Sequence, residues 1–247
     1  MSTDIPMSTE TSSTSATSAD ALPTDTERLQ QIWDATLRDQ SEIGSRLIAR
    51  YAEPHRRYHG IEHLMAVQDR ISEYATADHD LFLVRLAGFY HDAIYDIPTR
   101  ELTNEDASAR LSIRELSRAG LEQEDLNEVA RLVRLTATHV PGSRDPNGEL
   151  LCDADLAVLG GSPETYARYV AQVREEYAHV PRLDFARGRF QILRELAGRD
   201  LFSTPRGRQL NERARFNLVA ECRELVAELR AAGVSPDEIG PVPGSNA

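Results

Sequence analysis

The sequence predicts an all-α protein, one helical bundle of about eight to nine helices. Three observations carry this. Apolar residues recur at three- and four-residue spacing along most of the chain, those stretches open on Ser, Thr or Asp and close on Gly or Pro, and no alternating strand pattern of useful length or internal repeat interrupts them.

Residues 1–23 are rich in Ser and Thr, carry no periodicity and are expected to be disordered. The helical domain is read as 24–233, with a loose tail over 234–247 that contains Pro236, Pro241 and Pro243. Thr24-Asp25-Thr26-Glu27 is a capping box, and Leu29, Ile32, Trp33, Leu37, Ile43, Leu47 and Ile48 then form a helical stripe with one break. A second helix is expected over Gly60–Ala75, with Leu64, Val67 and Ile71 inward. The third, Leu81–Tyr95, is apolar almost all round and therefore belongs in a core.

Thr103-x-x-Asp106 opens a fourth helix that closes at Gly120, and Leu126 to Leu135 carry a fifth toward His139. Pro141–Gly148 has loop composition. A short helix follows at Asp153–Leu159, Ser162-Pro163 starts another, Leu183–Leu196 reads as the next, and Thr204-Pro205 opens the last long one, closed by Gly233.

Composition narrows the function. With 247 residues and 40% hydrophobic content the chain can bury a sizeable core. It has no apolar run of membrane-spanning length and no signal-peptide pattern, and is expected to be cytoplasmic. Two cysteines are too few for a disulfide framework or thiolate zinc site. The net charge of −12 argues against broad nucleic-acid or membrane binding. All 28 basic residues are arginine, which excludes Schiff-base and P-loop lysine chemistry.

The third helix holds the chemistry. His91-Asp92 sits inside it, and a buried carboxylate needs a hydrogen bond, an ion pair or a metal. At helical spacing Gly88, His91, Asp92 and Tyr95 share one face, Gly88 leaving room for an ion. His59 and His63 stand one turn apart before the pair; His139, Asp153 and Asp155 come after it. On a helix Asp153 and Asp155 are about 200° apart and cannot both face one ion. His55, His79 and His179 read as ordinary packing or surface residues.

Tyr58-His59-x-x-x-His63, His91-Asp92 and Ala154-Asp155-Leu156, in that order, resemble the H…HD…D signature of the HD superfamily of metal-dependent phosphohydrolases, in its uncharacterised small-hydrolase branch. The similarity extends from about Tyr58 to Leu225 and includes Asn104-Glu105-x-x-Ser108-Ala109, Arg174-x-Glu176-Tyr177 and Ala214-Arg215-x-Asn217. The resemblance implies an HD-domain bundle with His63, His91, Asp92 and Asp155 as ligands to a divalent ion (Mn²⁺, Fe²⁺, Co²⁺, Ni²⁺, Zn²⁺ or Mg²⁺). Two imidazoles and two carboxylates suit such an ion better than Ca²⁺.

It further implies hydrolysis of a small phosphate ester or anhydride, nucleotides included, by metal-activated water, with His59 as general acid. Glu62, by proximity, is the expected carboxylate behind His59. Many members carry a carboxylate where Tyr95 stands, so Asp96 or Glu105 is the expected substitute. Arg174, Arg189 and Arg215 are candidate phosphate binders and Tyr177 a candidate ring contact. Asp153 is expected as a cap or support for the site, and His139 as a surface or packing residue or a second-metal ligand. Two other readings use the same scaffold: a non-catalytic nucleotide-binding or regulatory domain, motivated by Tyr95, and a di-iron oxygenase needing His139 and Glu105.

Overall fold

Thr24 opens α1 (Asp25–Thr36) with the expected capping box, its hydroxyl accepting from the Glu27 N–H while the Glu27 carboxylate accepts from the Thr24 N–H. In this computed structural model, which describes residues 22–99, 101–241 and 243, almost all of the segment expected to be disordered, 1–21, lies outside the described residues. α2 (Ser41–Tyr51) follows the break in the first stripe, and the Trp33 indole N–H donates to the Gln40 carbonyl across it. A Cβ on Gly44 would come within 2.4 Å of the Trp33 ring, so only glycine lets these two helices close.

α3 (Ile61–Tyr74), α4 (Leu81–Tyr90), α5 (Asn104–Arg118), α6 (Gln123–Leu135) and α7 (Pro146–Leu156) join α1 and α2 around one core. Trp33, Tyr51, Phe89 and Tyr90 are its largest buried side chains, with Trp33 and Phe89 meeting edge to face at 5.1 Å. A second core is built by α8 (Pro163–Glu176), α9 (Arg182–Ala197), α10 (Asn211–Ala231) and α11 (Pro236–Ile239). Leu210 packs against both. Among the described residues there are no strands, as the pattern predicts, and no helix is long and apolar enough to cross a membrane.

Four boundaries differ from the sequence reading, three of them where a distant partner intervenes. α4 stops at Tyr90 rather than Tyr95. Beyond it the Asp92 N–H donates to the Tyr51 hydroxyl, and Arg56 donates to the Asp92 and Ala93 carbonyls. α7 begins at Pro146, capped by Asp145, so most of the Asp153–Leu159 helix belongs to an earlier-starting element that consumes the end of the expected loop.

Thr204-Pro205 does not open α10. The Thr204 N–H and hydroxyl both donate to Asp153, which draws 203–207 into a turn, and the helix starts only at Asn211. The tail expected to be loose is docked through α11, with Val234 and Ile239 buried in the second core.

Candidate metal centre

The His-Asp pair occupies the exit of α4, where the helix has run out of its own hydrogen-bond partners. His91 is the C-terminal cap residue, and its Nδ1 lies 2.8 Å from the Gly88 carbonyl. A neutral His91 therefore donates from Nδ1 and presents a bare Nε2 to the interior. Gly88 is small for a different reason than the one expected. A Cβ there would meet Gln68 and Ile71 of α3 at 2.8 Å, so the glycine serves helix packing and leaves no hole for an ion.

α3 supplies His63, whose Nε2 lies 3.0 Å from His91 Nε2. Asp92 Oδ2 is 3.2 Å from His91 Nε2 and 3.6 Å from His63 Nε2. From the end of α7, Asp155 Oδ1 reaches 3.2 Å from His63 Nε2 and 3.6 Å from His91 Nε2. Donors about 2.1 Å from a shared ion lie about 3.0 Å apart at right angles and about 3.4 Å apart tetrahedrally. Three of the five separations, at 3.0–3.2 Å, fall in that range and the two at 3.6 Å lie just beyond it, and the buried His63–His91–Asp92 group could hold a metal ion.

Without an ion the cluster is strongly polarised. Burial pulls the His91 imidazolium down, but Asp92 and Asp155 outweigh it and push its pKa up to about 9. Burial holds His63 below its ordinary value despite Asp155. Burial would raise both carboxyls, yet the His91 charge reverses this and holds Asp92 and Asp155 below theirs, with bonds from His139 and His63 adding to the effect on Asp155. The two carboxylates thus face a positive charge carried by His91.

His59 lies just before α3, its ring 5.7 Å from that of His63 and stacked on Tyr95 at 4.1 Å. Its carboxylate partner is Glu176 at the end of α8, 2.6 Å from Nδ1. Glu62, the partner expected from proximity, is exposed on α3. Glu176 also accepts from the Arg57 and His59 backbone N–H groups, and although burial would raise it, His59 holds its carboxyl below the ordinary value. Neither Glu176 nor Arg56 was singled out for a role by its place in the chain. The only signal was that Glu176 falls in the Arg174-x-Glu176-Tyr177 motif.

Arg56 is the clamp that joins the two sides. Its buried guanidinium donates to the carbonyls of His59, Asp92 and Ala93. Asp155 turns its second oxygen to His139 Nε2 at 2.8 Å, so His139 touches the cluster through Asp155. His139 itself has φ of 50°, a left-handed conformation, and Arg199 donates to its carbonyl. Asp153 points the other way and accepts from the Ser203 and Thr204 N–H groups and the Thr204 hydroxyl, which makes it a cap for that turn.

The remaining candidates divide. Asp96 lines a separate cleft with Ile94, Leu102 and Asn104, and Glu105, in the first turn of α5, lines neither cleft that His59 opens onto. The helix ending at Tyr90 carries Asp96 away from the register expected for a water-orienting base. Arg174 is spent on the Tyr177 and Val180 carbonyls that follow α8, and Arg215 is exposed and pairs with Asp200. Neither lines a His59 cleft; Arg189 and Tyr177 do.

Those two clefts meet over His59, Tyr169 and Arg189. One, of about 540 Å³, includes Asp155, His139 and Arg199; the other, of about 360 Å³, includes Tyr95, Tyr177 and Phe185. Compared with known proteins, the chain matches no family model, no curated protein and no solved structure.

Proposed function

We propose that this protein is a divalent-metal-dependent phosphohydrolase of the HD type, acting on a small phosphate compound. The observation that carries this reading is the convergence of four ligand-type side chains from three separate elements: the His63 and His91 Nε2 atoms are 3.0 Å apart, and an oxygen of Asp92 and one of Asp155 each lie 3.2–3.6 Å from both. His63, His91, Asp92 and Asp155 would hold the ion. Such a cation supplies polarisation of a phosphoryl oxygen and acidification of a water.

The chain's own residues provide the rest. In hydrolysis a water oxygen attacks phosphorus, the P–O bond to the leaving oxygen breaks with its electron pair, and that oxygen must gain a proton. His59 is oriented for this delivery: Glu176 holds Nδ1, and the ring lines both clefts. Arg56 keeps the His59 and Asp92 backbones in fixed relation, so donor and ligand set move as one body.

The test is elemental analysis of protein purified without added metal, followed by a panel of divalent ions against phosphate esters and anhydrides. One bound ion per chain and metal-dependent release of phosphate, both lost in His91→Ala, are expected. Absence of bound metal together with absence of hydrolysis removes the reading. Tyr95, stacked on His59 where a carboxylate was expected, favours binding without turnover as the second reading. Ligand-induced stabilisation with no product formed selects it.

A further inference from the structure

The two clefts on either side of His59 differ in chemistry, and the difference bears on which phosphate bond is cleaved. Resting on the phosphohydrolase reading, we infer that the substrate is a monoester whose leaving group carries a flat, uncharged ring, and that anhydrides are poor substrates. The cleft holding Asp155 takes the phosphoryl group, because it is the one with a candidate ligand in its wall. The leaving group must then pass His59, which provides its proton, into the second cleft.

That second cleft is walled by Tyr95, Val173, Tyr177, Val180 and Phe185, with Asp184 among its lining residues. Aromatic and aliphatic faces of this kind retain a ring by burial and stacking. Apart from His59, whose proton goes to the leaving oxygen, its one cation is Arg189, and that charge is already answered. Arg189 donates through Nε and Nη2 to the two Glu221 oxygens and through Nη1 to the Tyr169 hydroxyl, and only 9% of the residue is exposed.

A leaving phosphate would bring further negative charge into a space that offers a compensated guanidinium, the Asp184 carboxylate and apolar walls. Sites that accept such groups present several unpaired cations or a metal clamp. An uncharged ring meets no such penalty. A cleft of about 360 Å³ also sets a limit, since it has room for a ring system and little more.

Gly188 of α9 makes the inference testable without disturbing the fold. It lines the ring cleft on its exposed side, and a Cβ built there meets nothing within 4 Å, so a larger residue fits without clashing and stands at the cleft's mouth. The experiment measures kcat/KM on the metal-loaded full chain for phenyl phosphate, a nucleoside 5′-monophosphate, glycerol phosphate, pyrophosphate and a nucleoside triphosphate. The monophosphate and glycerol phosphate share an alkoxide leaving atom, so their ratio isolates the ring.

The ring-bearing monoester is expected to exceed glycerol phosphate by about tenfold or more, with both anhydrides below it. Gly188→Leu is expected to reduce that ratio about tenfold. Phenyl phosphate against the nucleoside monophosphate tells an aryl from a heterocyclic ring. Preference for pyrophosphate or the triphosphate, or a ratio untouched by Gly188→Leu, overturns the inference. If none of the five is hydrolysed, the phosphohydrolase reading fails on its own, and calorimetric titration with the uncharged nucleoside decides the cleft: binding abolished by Gly188→Leu upholds a ring site, and no binding to the parent chain removes it.

Discussion

Glu176 and His59 stand 117 positions apart in the chain and share a hydrogen bond of 2.6 Å. The Glu176 side chain is wholly buried and accepts three N–H bonds, so Gln in its place keeps the shape but replaces the carboxylate that His59 Nδ1 meets. Glu176→Gln is expected to lower the metal-dependent hydrolysis rate by about a hundredfold while leaving metal content unchanged. Parallel rate and metal assays check this. A rate equal to that of the parent chain would make the pair a structural contact only.

The ligand set has a pH signature of its own. Because Asp92 and Asp155 hold His91 up to about 9 against burial, an ion entering at neutral pH must displace the His91 proton. Apparent affinity should therefore rise about tenfold per pH unit between roughly 7 and 9 and then level. For the ion-free chain the signs separate. The His91 contribution to stability is full below about pH 6.5 and lost as pH rises through its folded value, whereas those of Asp92 and Asp155, held below the ordinary range, are present above about pH 4 and lost on acidification. Calorimetric metal titrations across that range decide it, and a pH-independent affinity contradicts the charge pattern. At this scale the sequence was informative about His63, His91, Asp92 and Asp155, whose ordered spacing survives in the fold. It assigned no role to Glu176, which appears only within the Arg174-x-Glu176-Tyr177 motif, and was silent on Arg56, because their partners are set by tertiary contact.

Helix starts were legible where the signal is local. Thr24, Thr103 and Ser162 each cap the helix expected of them, and Gly120 and Gly233 end theirs with φ of 88° and 85°. The exit of α4 was not legible, since apolar periodicity continues to Tyr95 while the hydrogen bonds that stop the helix come from Tyr51 and Arg56. That exit turns His91 and Asp92 onto the same side, toward His63. It also makes Arg56 the residue on which the local geometry depends. Its loss would strand the His59, Asp92 and Ala93 carbonyls in a buried setting, so Arg56→Met is expected to destabilise the chain by about 3 kcal/mol and to weaken metal retention. Denaturant unfolding and metal analysis of the same variant test both halves. Full metal occupancy in a folded Arg56→Met chain would show that the exit turn keeps its shape without the clamp.

Across the whole molecule, the candidate ligands come from α3, from the turn after α4 and from α7, all elements of the first core. The second core bears on them through Glu176 on His59, through Arg199 on the His139 carbonyl, and through the 203–204 turn on Asp153. None of these ties was readable from periodicity, which identifies the buried face of a helix but not the helix it meets. An ion held by this group would bind only when the first core is assembled, so its binding free energy would add to folding stability. With free metal at a hundred times its dissociation constant the gain is about 2.7 kcal/mol. For a chain of 247 residues that corresponds to a rise in Tm of roughly 5–10 °C. Chelation should reverse the rise and readdition restore it, while His91→Ala, with one of the ligand atoms of the buried group removed, should show no metal-dependent shift at all. Scanning calorimetry of the parent chain and of His91→Ala, each with chelator and with excess metal, separates the cases: an equal shift in both proteins would mean that the ion binds elsewhere.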